Sequence, residues 1–208
     1  MHSSMKGNVQ LAKLLIDKEA NIFIKDRKGM TALMISCAKG HDKIVKMLID
    51  RLSSIKGINI LVENQLTNVK NFINDTNHEG MTPLILASRG CHESCVNLLI
   101  NYKAEVDLKD KYGYTALMYA CQYGYKLIAL SLIRGHADVN MKSPKRGTSL
   151  MLASCNGHYE IVKLLVKYKA LVDERDDRGY TALDWALIKN ECKIIELLRN
   201  KKANQTFI

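Results

Sequence analysis

Thr115-Ala116-Leu117-Met118-Tyr119-Ala120-Cys121 is one of five versions of a single phrase. The others are Thr31-Ala32-Leu33-Met34-Ile35-Ser36-Cys37, Thr82-Pro83-Leu84-Ile85-Leu86-Ala87-Ser88, Thr148-Ser149-Leu150-Met151-Leu152-Ala153-Ser154 and Thr181-Ala182-Leu183-Asp184-Trp185-Ala186-Leu187. Thr82, Thr115, Thr148 and Thr181 stand 33 residues apart without a slip, and Thr31 precedes Thr82 by 51, one period plus an 18-residue insertion. A fixed period of this length marks units that bury their apolar faces only against their neighbours. Function then belongs to an extended surface rather than to one pocket.

Each copy carries its own folding instructions. Asp110-Lys111-Tyr112-Gly113-Tyr114 predicts a tight turn, with Gly113 supplying a positive φ. Thr115 follows as a helix N-cap, and the short helix ends at Gly124. A second helix carries Leu127, Ile128, Leu130, Leu132 and Ile133 at helical spacing, and His136-Ala137-Asp138-Val139-Asn140 leads to the next turn.

Composition agrees with a folded chain of this kind. Apolar content is 47% and charged content 25%, and no run approaches the roughly 20 apolar residues of a membrane helix. Met1-His2-Ser3-Ser4-Met5-Lys6-Gly7 has no hydrophobic signal region. Cys37 and Cys121 share a column with Ser88 and Ser154, where close helix packing needs a small side chain. No Cys-x-x-Cys pair occurs, so neither a disulfide framework nor a structural zinc site is indicated, and a cytoplasmic location, with the nucleus as alternative, is expected.

The phrase resembles that of the ankyrin repeat family, Asp-x-x-Gly-x-Thr-Pro-Leu-His-x-Ala-Ala-x-x-Gly-His followed by a Val-Val-x-Leu-Leu helix and Gly-Ala-Asp-Val-Asn. Asp26, Gly29, Thr31, Leu33, Gly40, His41, Val45 and Leu48 match it, as do Gly80, Thr82, Pro83, Leu84, His92, Val96 and Leu99. Gly157, His158, Val162, Leu165, Asp176, Gly179, Thr181 and Leu183 continue it. The resemblance implies an all-α solenoid of helix-turn-helix units with β-hairpin fingers. It divides the chain into a partial first repeat at 1–25, a second at 26–76 with the insertion near 52–69, three more at 77–109, 110–142 and 143–175, and a capping repeat at 176–208.

Some positions depart from the family phrase. The glycine that ends the second helix is replaced by Glu19, Lys103, His136, Lys169 and Lys202. The histidine three residues after threonine becomes Met34, Ile85, Met118, Met151 or Asp184, removing the family's polar link there. Gly147 stands directly before Thr148, which leaves the shape of that finger open. The second helix of the opening unit, with Leu11, Ala12, Leu14, Leu15 and Ile16, reads as apolar, so the N-terminal edge looks unfinished. Ile58, Leu61, Val62, Leu66 and Val69 predict a lengthened second helix followed by an added amphipathic one in the insertion.

No nucleophile–base pattern, Gly-rich phosphate loop or His-Glu-x-x-His stands in the chain, so an enzyme is not expected and no cofactor is implied. Cys91-His92-x-x-Cys95 is the one cluster with metal-ligand types. Cys95 falls in the core column of Ile44, Ile128 and Ile161, and His92 aligns with His41 and His158, which in the family brace the backbone, so no metal site is assigned. Trp185 reads as partly buried packing. Asn140 resembles sites that asparaginyl hydroxylases modify in ankyrin repeats, and a structural turn asparagine is the competing reading.

Family binding positions are the finger tips and the exposed side of the first helix. Carried over, they are Arg27, Lys28, Met30 and Lys39, then His78, Glu79, Met81 and Arg89. The later repeats give Lys111, Tyr112, Tyr114, Gln122 and Tyr123, then Lys145, Asn156, Arg178, Tyr180 and Lys189. Tyr114 and Tyr180 share a column in which ring packing along the fingers competes with partner contact. The net charge of +10 favours an acidic partner, yet Lys outnumbers Arg 23 to 8, which disfavours specific phosphate or base readout. The expected function is a monomeric protein-interaction module with an unidentified protein partner, no nucleic acid and no membrane. An anion or nucleic-acid binder using the basic repeats is one alternative, and the ankyrin segment of a larger enzyme such as a kinase is another.

Overall fold

The computed structural model describes residues 1–54, 70–145 and 147–205, which include helices and connecting turns. The first compact unit, Met1–Lys111, holds α1 (His2–Lys6), α2 (Val9–Asp17), α3 (Ala32–Lys39), α4 (Asp42–Ser54), α5 (70–74), α6 (Pro83–Arg89) and α7 (Glu93–Asn101). The second, Tyr112–Ile208, holds α8 (Ala116–Tyr123), α9 (Lys126–Arg134), α10 (Ser149–Cys155), α11 (Tyr159–Lys167), α12 (Ala182–Ile188) and α13 (Cys192–Gln205). In the first unit α1, α3 and α6 pack side by side as an inner layer, backed by α2, α4 and α7. In the second, α8, α10 and α12 form the inner layer, and α9, α11 and α13 the outer one.

The repeated threonine explains where each inner helix starts. Thr31, Thr82, Thr115, Thr148 and Thr181 have extended backbones, and each hydroxyl accepts the N–H three residues on at 3.2 to 3.3 Å. All five are buried, so each cap satisfies an orphan donor that water cannot reach, a contribution of about 1 kcal/mol apiece. Leucine two positions on is buried at Leu33, Leu84, Leu117 and Leu150, and the outer helices add Leu48, Leu99, Leu132, Leu165 and Leu198. That alternating inner and outer supply makes the core of each unit.

The fingers are closed turns rather than strand pairs. Asp26 Oδ1 accepts from Lys28 N at 2.8 Å and Met30 N at 2.9 Å; Asn77 and Asp176 repeat the pattern. Those two backbone donations pull the Asp26 carboxyl below its usual pKa. With one side chain closing so short a turn, little length remains for a ladder. The one isolated bridge among the described residues joins Lys142 and Thr148. The finger with the displaced glycine closes too: Ser143 N donates to Gly147 O at 3.0 Å and Gly147 N to Ser143 Oγ at 3.1 Å. Successive fingers are tied by main chain, His78 N to Lys28 O at 3.0 Å and Lys111 N to Glu79 O at 2.9 Å.

Four of the five missing glycines leave left-handed residues, whereas Lys202 lies within α13. Glu19, Lys103, His136 and Lys169 take φ of 58°, 65°, 70° and 64°. Cys91 (61°) and Asn190 (57°) do the same where Gly40, Gly124 and Gly157 stand in other repeats. The expected lengthening of the second helix is present, since α4 has 13 residues against 9 in α7, α9 and α11. The added amphipathic helix expected after it lies outside the described residues. On α2, Ala12 is buried, whereas Leu14 and Leu15 are 55% and 40% exposed.

Candidate functional site

The inner layer of the second unit concentrates aromatic side chains. Tyr114 stands one residue before the capping Thr115 and Tyr119 four after it, so a turn and one helical turn bring their rings to 5.4 Å. Tyr119 stacks on Tyr123, one turn further along α8, at 6.2 Å and 16°. Tyr123 reaches Tyr125 at 5.8 Å, completing a run of four rings. Tyr119 is buried, while Tyr123 and Tyr112 are 42% and 53% exposed. The run thus has a fixed base and an accessible edge.

The same columns recur at the far end of this unit. Tyr180 meets Trp185 edge-on at 5.6 Å, and Trp185 Nε1 donates to Asp176 Oδ2 at 2.9 Å. An open groove of about 230 Å³ lies alongside, lined by Tyr114, Met151, Leu152, Cys155 and Trp185, with Lys145, Asp177 and Arg178 at its finger side. In the column shared by Tyr114 and Tyr180, each ring lies on the aromatic side chain five residues later. Both still keep some exposed surface.

Other expected binding residues divide by exposure. Arg27, Lys28, Lys39, His78, Arg89, Lys111, Lys145, Asn156, Arg178 and Lys189 are exposed. Glu79 forms a salt bridge with Lys111 at 3.2 Å, and Met30 Sδ accepts from Asn77 Nδ2 at 3.3 Å. Gln122 is half-buried, and its carbonyl bonds the His158 ring at 3.0 Å. Met81 is a correction: it is 2% exposed, its sulfur 3.6 Å from Arg89 Nη1, so it belongs to the packing beneath the surface. Sequence reading passed over Tyr119 and Tyr125 as parts of one ring run, although their spacing around Tyr123 was the available signal.

The cysteine–histidine cluster is dispersed by its roles. Cys95 is fully buried in α7, Cys91 is exposed, and the His92 ring bonds Ala38 O at 3.1 Å. Burial pushes the Cys95 thiol up to about 11, the wrong direction for a thiolate ligand. Among the described residues no group of three or more His, Cys, Asp or Glu is placed to hold a metal ion. No helix among them is long and apolar enough to cross a membrane. Asn140 Oδ1 accepts from Leu171 N at 2.9 Å, as Asn74 Oδ1 does from Glu105 N, so this column links consecutive repeats.

No curated protein matches the chain. A family model described as ankyrin repeats in three copies matches residues 1–64, 53–143 and 128–207. With its threonine-capped inner helices, its closed fingers and this match along nearly its whole length, the chain belongs to the ankyrin repeat family.

Proposed function

We propose that this protein is a non-enzymatic interaction module that binds a protein partner through the inner face of its second unit, centred on Tyr112, Tyr114 and Tyr123. Ankyrin repeats generally mediate protein–protein interaction, and this reading adds where on this chain the contact falls. The observation that carries it is the ring run, in which buried Tyr119 stacks on Tyr123 while Tyr123 keeps 42% of its surface exposed. Tyrosines held in this way give large contact area with little ordering cost, and Tyr is enriched where binding energy concentrates. The groove beside Trp185 supplies an adjoining concave apolar surface. The module acts as a monomer in a reducing compartment, cytosol or nucleus, a setting that suits the thiol-filled packing column of Cys37 and Cys121.

The test is selection of peptides from a random displayed library on the full chain, followed by affinity measurement on Tyr112→Ala/Tyr123→Ala. Selected peptides are expected to lose tenfold or more in affinity, about 1.4 kcal/mol. Undiminished binding to the double variant overturns the assignment.

A further inference from the structure

Both prolines of the chain follow a hydroxyl residue, at Thr82-Pro83 and Ser143-Pro144. The surroundings of the two pairs differ. Thr82 caps α6, its hydroxyl accepting from Ile85 N at 3.2 Å, and Pro83 is buried in the first turn. Ser143 opens a finger instead, and the sequence continues Pro144-Lys145-Arg146. Pro144 and Lys145 are exposed. The matching position of other fingers holds Asp26, Asn77 or Asp176, each accepting two backbone N–H groups, from the residues two and four positions on. Among the described residues Ser143 Oγ accepts only the second of these, from Gly147 N at 3.1 Å.

From this finger we infer a modification site, with Ser143 as the acceptor of a phosphoryl group from a proline-directed protein kinase. The sequence holds what such an enzyme reads. Proline after the hydroxyl residue brings no N–H that an apolar pocket would leave unpaired, and Arg146 offers a cation three residues on. A kinase takes its substrate extended, and Ser143 is 8% exposed, so the finger has to open. Opening breaks the two Ser143–Gly147 bonds and that from Asp177 N to Lys145 O. One side-chain bond fewer than in the Asp and Asn fingers leaves this finger open roughly fivefold more often. In the transfer, Ser143 Oγ bonds to the γ-phosphorus of ATP while the bond from that phosphorus to the β–γ bridging oxygen breaks. ADP leaves, and the hydroxyl proton passes to the kinase's base. The product carries a charge of about −1.5 to −2, at the position where Asp26 and Asp176 hold a carboxylate, and its oxygens supply the missing acceptor for Lys145 N. Ser143 also lines the groove beside Trp185, together with Lys145, Asp177 and Arg178, so the phosphate changes the charge of that edge. The effect on a partner rests on the function proposed for this face; the site itself does not.

The experiment incubates the full chain with a purified kinase of the cyclin-dependent class and radiolabelled ATP, and locates the label by peptide mass mapping. Label is expected at Ser143 and not at Thr82, whose hydroxyl is held in the buried cap. Ser143→Ala is expected to lower incorporation about tenfold or more. Ser143→Asp restores the residue type of the other fingers and is expected to lower it equally while the thermal midpoint holds or rises. That variant separates loss of the acceptor from loss of the fold. Pro144→Ala keeps the hydroxyl and is expected to lower label at Ser143 to the same extent. Parent-level incorporation in Ser143→Ala or Pro144→Ala overturns the site, as does label at Thr82 in preference to Ser143. A folded chain that takes no label overturns it too, whether or not a synthetic peptide of residues 141–149 is labelled. None of these readouts involves Tyr112 or Tyr123, so failure here leaves the aromatic face standing.

Discussion

The His92 ring occupies the space where a β-carbon on Gly40 would stand, with Nδ1 only 2.4 Å from that position. The same ring bonds Ala38 O, so histidine and glycine together lock one repeat onto the helix end of the one before. His41 covers Gly7 and His158 covers Gly124 in the same way, and Glu191 takes this place over Gly157. Gly40→Ala therefore meets both a left-handed φ of 74° and a collision. Its expected cost is about 2 kcal/mol or more by denaturant unfolding, the strain alone being worth 1–2. Adding His92→Ala should recover the collision part but not the strain, so a strictly additive double mutant contradicts the contact.

Cys91 tests the same conformation from the other side. It is exposed at φ 61°, in the column where Gly7, Gly40, Gly124 and Gly157 stand in four other repeats. Cys91→Gly removes a β-carbon that contributes no buried packing and relieves left-handed strain, and is expected to stabilise the chain by about 1 kcal/mol. A destabilised variant would mean that the unfolded chain's gain in freedom dominates.

Thiol reactivity should sort the cysteines by position. Cys37, Cys95 and Cys121 are fully buried, and desolvation raises Cys121 to about 12 and Cys37 well above its ordinary value. Cys91 and Cys192 are exposed. A maleimide at neutral pH is expected to modify Cys91 and Cys192 within minutes and the buried three only after unfolding, as read by peptide mass mapping. Early labelling of Cys121 would place the core of the second unit in contact with solvent.

Tyr102 gives a pH signature. Its hydroxyl donates to the Asp50 carboxylate, which, with burial and that negative charge, pushes the phenol up to about 12 from 10.0. Because the folded pKa is raised, the stabilisation is fully present below about pH 10 and is lost as pH rises towards 12. Ultraviolet titration of the phenolate should show a late-ionising tyrosine that moves earlier in Asp50→Asn. An unchanged titration curve in that variant rules out the pairing.

The fold was legible in the sequence because the threonine cap, the leucine two positions later and the helix-ending glycine each act within one repeat. Local rules sufficed for these, and a fixed period multiplied them. The candidate surface was only partly legible. Met81 shares its column with Tyr114 and Tyr180, yet it is buried where they keep exposed edges, since a flexible thioether folds under the neighbouring Arg89. The union of Tyr119, Tyr123 and Tyr125 depends on ring orientation, which spacing alone does not give.

The fingers are joined to one another through amide and carbonyl groups, as Lys28 O and Glu79 O show, and the Glu79–Lys111 salt bridge adds a side-chain link to one of these joints. Arg27, Lys28 and Arg178 are exposed at the finger tips, and the main-chain links between fingers do not pass through their side chains. A laboratory could rewrite Arg27, Lys28 or Arg178 and retarget the molecule while its thermal tolerance stayed where it was.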